Sequence, residues 1–271
     1  MIGCNLLTNI TDPDDFRLEP YRHIRERDLT GREGLFIAEG KIVLSILIAR
    51  PTYALHSVLL LENRVSSNQP LLAQIPEQVP VYVVPQHVID TVAGYNVHRG
   101  ILAIGKRTEV PDLPELMNAA GRDCLIVVLS DISNHDNVGS IFRNAAAFSA
   151  DAVILDRLCC DPLYRKALRV SVGGVLNVPW VKGGTIHEIA TLLTENGFSI
   201  AALSPSGIRS VKDLPAKGRR AILLGSEGHG LPRPLLESLD TYKIPMSPDF
   251  DSLNVATASG IALFNASRYA A

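Results

Sequence analysis

The stretch "CLIVVLSDISNHDNVGSIFRNAAAF" (Cys124–Phe148) decides how the second half of this 271-residue chain is read. Its opening is a continuous apolar run, short enough for a strand buried on both faces, and its close is a small-residue segment with helical periodicity. Asp131, Asn134, His135, Asp136 and Asn137 crowd the middle, and Arg143 follows. The spacing predicts a helix near 138–149 that begins after Asn137, with Asn137 as its cap. Ile141, Ala145 and Phe148 form the apolar face of that helix, so Arg143 points elsewhere, toward the loop side.

The same alternation continues along the chain. "DAVILD", "SIAALS", "RAILLGSE" and "YKIPMS" are short apolar runs, separated mostly by helical segments near 163–171, 185–196 and 232–239, with a last helix over about 253–268. Strand and helix alternating in this way imply a mostly parallel sheet covered on both faces, with ligands at the carboxyl ends of its strands. Upstream, "LFIAEG", "KIVLSILIAR", "LHSVLLLE", "VPVYVV", "PQHVIDTVAGY" and "GILAIGK" read as strand, helix, strand, strand, helix and strand, a smaller α/β unit ending near Lys106. The expected division is an extension at 1–31, a domain at 32–107, a linker at 108–122 that ends beyond Gly121, and a domain at 123–271.

Composition narrows the classes. With 46% hydrophobic residues the chain has material for a large core, and at a formal charge of −2 any nucleic-acid partner must be met by a local basic patch. Four cysteines at 4, 124, 159 and 160, without C-x-x-C or metal-ligand spacing, point to neither zinc nor a disulfide framework, so no metal is expected. The most apolar run, 42–61, is broken by Arg50, Pro51 and His56, and the start lacks the pattern of a signal peptide. The expectation is a cytoplasmic protein without a membrane span.

Two further loops lie at predicted strand ends. "LLGSEGHGLP" (Leu223–Pro232) places its glycines as G-x-x-G-x-G, which is neither a dinucleotide fingerprint nor a P-loop. Its glycines permit positive φ and close backbone approach to a ligand, and a plain tight turn would use them as well. "IPMSPDFDSLNVATASGIALF" (Ile244–Phe264) joins strand to small-residue helix through Ser252 and Asn254, with Ser252 the expected cap. Backbone groups near Ile244, Met246 and Leu253 are placed to grip an adenine between apolar side chains.

Taken in order, N-x-G-x-x-x-R-x-x-x-x-F, L-G-S-E-G-x-G and I-P-M…S-L-N-V-x-x-A-x-x-I resemble the three motifs of the SpoU family, RNA ribose 2′-O-methyltransferases of the SPOUT superfamily. The match spans roughly 124–269. A lesser similarity, carried by "FIAEGKIVLSIL" and "HRGILAI", relates about 32–107 to the family's L30e-like RNA-binding domain. The resemblance implies a trefoil knot in the C-terminal domain, S-adenosylmethionine bound within the knotted loops, and a homodimer with active sites built across the interface. It assigns polar roles to Asn137, Arg143, Glu227, Ser252 and Asn254, and cofactor contacts to Leu203, Gly225, Ile244, Met246 and Leu253. The chain departs from many relatives at Asp136, where they carry proline.

For the chemistry, the family proposal makes the arginine matching Arg143 the base that takes the 2′-hydroxyl proton. A guanidinium holds its own proton in proteins, and an equally good account has Arg143 stabilising the developing alkoxide. RNA capture has three candidate clusters: Arg17 to Arg32, Arg157 to Arg169, and "KGRR" at 217–220. The middle one is favoured, through Arg165, Lys166 and Arg169. Ribosomal RNA is favoured over transfer RNA by analogy. Two rival functions stand beside this one, a non-catalytic RNA-binding protein that kept the fold and a small-molecule enzyme using a nucleotide cofactor.

Overall fold

A computed structural model of the chain describes residues 7–22, 34–108, 111–267 and 269. They form two compact units, one from the described residues of Met1–Glu109 with Leu163–Leu176, the other from those of Val110–Pro162 with Asn177–Ala271.

The N-terminal unit carries a five-stranded sheet of β1 (Leu7–Asn9), β2 (Leu35–Glu39), β3 (Tyr53–Leu61), β4 (Val81–Val84) and β5 (Ile101–Arg107). Their order is β1-β4-β3-β5-β2, with β5 antiparallel to both neighbours and the other pairs parallel. Helices α1 (Lys41–Ala49) and α2 (Gln86–Ala93) flank it. In α2, Val88, Ile89, Val92 and Ala93 are buried at helical spacing, and Gly94 ends the helix in the left-handed region at φ 76°. Residues 7–21, placed by the sequence reading outside this domain, pack into it. β1 extends the sheet beside β4, Leu18 and Tyr21 are completely buried, and Tyr21 shares a 2.8 Å hydrogen bond with Ser57. Burial pushes the Tyr21 phenol well above its ordinary range.

The C-terminal unit holds seven parallel strands: β6 (Cys124–Leu129), β7 (Ala152–Leu155), β8 (Trp180–Lys182), β9 (Ser199–Leu203), β10 (Arg209–Ser210), β11 (Arg219–Leu224) and β12 (Asp240–Lys243). Their order is β10-β12-β9-β11-β6-β7-β8. β11 therefore enters between β6 and β9 and pairs with neither of its sequence neighbours, β10 and β12. Its helices are α3 (Leu113–Ala119), α4 (His135–Ala147), α6 (Ile186–Glu195), α7 (Arg233–Ser238) and α8 (Val255–Ala266), and α5 (Arg165–Val170) belongs to the other unit. The segment expected as a linker contains α3, opened by a capping box of Asp112 with Glu115 and anchored by buried Met117.

Segment 163–176, expected inside the 123–271 domain, joins the N-terminal unit instead. Three contacts explain this. Arg165 pairs with Glu39 of β2, the Tyr53 hydroxyl donates to the Val175 carbonyl at 3.4 Å, and bare Gly173, at φ 82°, lies against Ile46. A Cβ on Gly173 would stand 2.5 Å from Ile46 Cδ1, so a side chain there would force the two apart.

Candidate active site

The turn after β6 is built differently from its sequence reading. The cap of α4 is Asn134, whose side chain accepts from the Asp136 amide at 2.8 Å, and the helix starts three residues earlier than predicted. Asp136 falls in the first turn, where a negative charge suits the positive end of the helix. Asn137 is thereby freed from capping. It is buried at 6% exposure within the first turn, beside an apolar stripe of Val138, Ile141, Phe142 and Ala145.

Ser252 is likewise not the cap of α8. Asn254 is, its Oδ1 accepting from the amides of Ala256 at 2.9 Å and Thr257 at 3.2 Å. Capping leaves the amide nitrogen of Asn254 to donate outward, to Asn137 Oδ1 at 2.9 Å and to Glu227 Oε1 at 2.5 Å. One side chain thus joins polar residues 117 and 27 positions away along the chain. Since Oδ1 is committed to the helix amides, the nitrogen must face the two acceptors, and its orientation is fixed.

Glu227 and Asn254 line a cavity of about 740 Å³ at the carboxyl ends of β9, β11 and β12, and Asn137 is joined to it through its bond with Asn254. Its apolar walls include Leu203, Ile244, Met246 and Leu253, and Gly225, Glu227, Ser252 and Asn254 also line it. All five positions expected at the cofactor are therefore in one wall set, together with three of the five expected polar residues. Ser252 is exposed. The sequence reading passed over Ser226, which also lines the cavity and whose buried hydroxyl has no hydrogen-bond partner among the described residues.

Gly225 earns its place by closure of the loop on itself. A Cβ there would lie 2.3 Å from the Gly230 carbonyl carbon and 2.5 Å from the Leu231 nitrogen, and Gly230 donates back to Ser226 at 3.0 Å. Gly230 supplies the positive φ, 66°, that the turn needs. Backbone meeting backbone sets the cavity wall, which is why the ligand-approach argument alone did not identify the constraint.

Arg143 is not among the cavity's lining residues. It is exposed on α4, and its side chain makes no hydrogen bond or ion pair among the described residues. Asn137 and Arg143 are six positions apart, about 600° of helical rotation, so they face directions roughly 120° apart.

The basic clusters are largely occupied. Arg165 Nη1 donates to the Glu39 carboxylate and, at 2.9 Å, to the Tyr95 hydroxyl, with the guanidinium 4.5 Å from the Tyr95 ring centre. Burial, then the Glu39 charge, pushes the Tyr95 phenol up to about 12. Lys166 is exposed and Arg169 half-buried. In "KGRR", Arg219 donates to the carbonyls of Ala120, Gly121 and Asn196, and buried Arg220 ties the carbonyls of Ala216 and Ala266 to Asp123. Within the first cluster Arg17 pairs with Asp15 and Arg22 with Glu19, and 23–33 lies outside the described residues.

Asp156, which the sequence reading did not single out, is 2% exposed at the end of β7. It accepts from the Ser130 hydroxyl at 2.8 Å and from the amides of Asp131, Leu158 and Cys159 at 3.0–3.1 Å, tying the turns after β6 and β7 together. No group of three His, Cys, Asp or Glu suited to a metal occurs among the described residues, and no helix there is long and apolar enough to cross a membrane.

The SpoU rRNA Methylase family matches residues 124–264, more than half of the chain. This chain belongs to the SpoU family. A second family, RNA 2′-O ribose methyltransferase substrate binding, matches 40–111. An uncharacterized tRNA/rRNA methyltransferase of Mycobacterium bovis is 35% identical over 96% of this chain and 91% of its own length. The 23S rRNA (guanosine-2′-O-)-methyltransferase RlmB of Salmonella typhimurium is 28% identical over 84% of this SpoU chain and 96% of its own. In fold, the AdoMet-bound rRNA methyltransferase of Sinorhizobium meliloti superposes with a TM-score of 0.82 at 22% identity, covering 96% of this chain and 97% of that one. The three polar loops and the cavity lie within the stretch that the SpoU match covers.

Proposed function

We propose that the protein transfers the methyl group of S-adenosylmethionine to a ribose 2′-hydroxyl of structured RNA, with ribosomal RNA preferred to transfer RNA. The observation that carries this reading is the Asn254 amide, bonded to both Asn137 and Glu227 at the rim of the 740 Å³ cavity. The preference for ribosomal RNA rests on the likeness to RlmB, a 23S rRNA enzyme by name.

The cavity suits that cofactor. Its volume lies within the range of small-molecule pockets, its apolar walls fit an adenine, and the unpartnered Ser226 hydroxyl offers a polar contact. The bound sulfonium would supply an electrophilic methyl group. Asn254 and Glu227 hold the rim in one orientation, and Leu203, Ile244, Met246 and Leu253 exclude water from the cavity wall. The guanidinium of Arg143 stabilises negative charge that develops on the 2′-oxygen while the hydroxyl proton passes to a substrate phosphate oxygen or to water and S-adenosylhomocysteine leaves. Because Arg143 lies off the cavity wall of its own chain, it serves the site of a second copy in a homodimer.

Incubation of the purified protein with a methyl-labelled donor tests this. Label is expected in deproteinised ribosomal RNA, at nucleotides that become resistant to alkaline cleavage on their 3′ side. Label in transfer RNA alone would reverse the substrate preference. Cofactor binding without label in either RNA would favour the non-catalytic alternative, and tight NAD or ATP binding in place of S-adenosylmethionine would favour the small-molecule one.

A further inference from the structure

At one end of the N-terminal sheet, β2 stops at Glu39, β3 stops at Leu61 and β5 begins at Ile101. The Gly40 amide donates to the Ile101 carbonyl at 3.0 Å, and the Leu61 amide to the Gly100 carbonyl at 2.9 Å. Gly40 and Gly100 therefore stand at adjoining strand ends, on backbones about 4.8 Å apart. Both have positive φ, 94° and 67°.

An arginine stem lies beside each glycine. A Cβ on Gly40 would stand 3.0 Å from Arg99 Cδ and 3.3 Å from its Nη1, and a Cβ on Gly100 would stand 2.8 Å from Leu61 Cδ1 and 3.0 Å from Arg64 Cγ. The arginine stems thus rest on bare backbone. Arg64 and Arg99 are both exposed, and neither side chain makes a hydrogen bond or ion pair among the described residues. Exposed Lys41 opens α1, whose first turn contains no acid.

The acids nearby are mostly engaged. Glu39 is held by Arg165, and Asp90 accepts from the Val97 amide at 2.7 Å and from the Gln86 side chain at 2.9 Å. Glu62 remains beside Arg64. In a chain whose formal charge is −2, this is a local concentration of positive charge. Stems seated on glycine lose less freedom when an anion is gripped than freely rotating ones do. Guanidinium groups also present paired N–H donors that match phosphate oxygens.

We propose that Arg64 and Arg99, with Lys41, form the surface that grips the phosphate backbone of the RNA substrate. Arg165 takes no part in that grip, because its guanidinium is committed to Glu39 and Tyr95. The inference rests on the RNA methyltransferase reading and adds to it the residues that hold the RNA.

The test compares the full-length protein with its Arg64→Ala/Arg99→Ala counterpart, binding deproteinised ribosomal RNA and total transfer RNA across a salt series. Calorimetry with S-adenosylmethionine checks that the C-terminal unit is intact. The altered protein is expected to bind RNA about tenfold or more weakly at low salt, with a log–log salt slope shallower by about 1.4–1.8 for two lost phosphate contacts. Unchanged affinity and slope beside a wild-type protein that binds and methylates RNA would overturn this surface and leave the methyltransferase reading standing. A wild-type protein that binds neither RNA would overturn both.

Discussion

Asn254 does two jobs with one amide group, and they separate on mutation. Asn254→Asp keeps an oxygen for the α8 cap, while losing the donor to Asn137 and bringing a carboxylate against Glu227. Asn254→Ala loses both functions, and the cap alone is worth about 1 kcal/mol. The alanine variant is thus expected to unfold at lower denaturant, by about 1–2 kcal/mol, and both are expected to lose methyl transfer. An Asp variant with wild-type turnover would show that the Asn137–Asn254–Glu227 link does not matter for reaction. Thiol chemistry gives a second residue-level expectation. Burial pushes the Cys160 thiol up to about 11 and that of Cys124 up to about 12, against weaker opposing influences from Lys182 and from Arg219. At pH 8 the Cys160 thiolate is then about one part in a thousand, and its rate of alkylation should climb with pH until about 11. Peptide mapping of timed iodoacetamide reactions reads this directly, and rapid labelling of Cys160 at pH 7 would contradict it.

At the scale of elements, the site depends on α8 lying close against α4. Asn144 donates to the Ala256 carbonyl at 2.8 Å and to the Ser259 hydroxyl at 2.9 Å, and a Cβ on Gly260 would stand 3.2 Å from Asn144 Nδ2. Gly260→Val should therefore push the helices apart, with destabilisation of about 1–3 kcal/mol from overpacking and a strained hydrogen bond. Loss of cofactor affinity should accompany it, because α8 carries the Asn254 cap. A chemical melt unchanged from wild type would mean that the helices adjust freely. This packing also shows what periodicity could and could not reveal. The apolar stripe of α4 and the small residues of α8 were legible as a strand–helix pattern with close packing. The choice of Asn134 over Asn137, and of Asn254 over Ser252, as caps was not, since asparagine and serine both cap helices and the decision falls to where the strand releases the chain. The three-residue β8 was missed for a related reason: Trp180 and Val181 are too short a run to stand out, and tertiary contacts such as the edge-on packing of Trp180 on Phe142 create the strand. Likewise, β11 lies between β6 and β9 because of long-range pairing, about which local alternation is silent.

For the whole molecule, the proposed homodimer assigns Arg143 to the cavity of a second copy. Asn137, Glu227 and Asn254 are drawn together at one cavity, yet Arg143, carried by the same α4, faces about 120° away from Asn137 and is exposed. Replacing it should disturb folding little, within about 0.5 kcal/mol, because an exposed side chain without hydrogen-bond partners among the described residues has few contacts to lose. If a two-fold dimer lets this arginine reach the partner's cavity, Arg143→Ala and Asn254→Ala damage opposite halves of a shared site. Each variant alone should then be inactive. Mixing equal amounts and allowing subunits to exchange should give dimers of which half are mixed, and every mixed dimer contains one site with both defects and one with neither. Activity should return to about a quarter of the wild-type value. Were the arginine instead to serve the cavity of its own chain, every site in every dimer would retain one defect and mixing would restore nothing. Partial recovery in proportion to the mixed species, resolved by differently tagged subunits, therefore distinguishes a shared site from two independent ones without needing the RNA target to be known in advance beyond a preparation that the wild-type protein methylates.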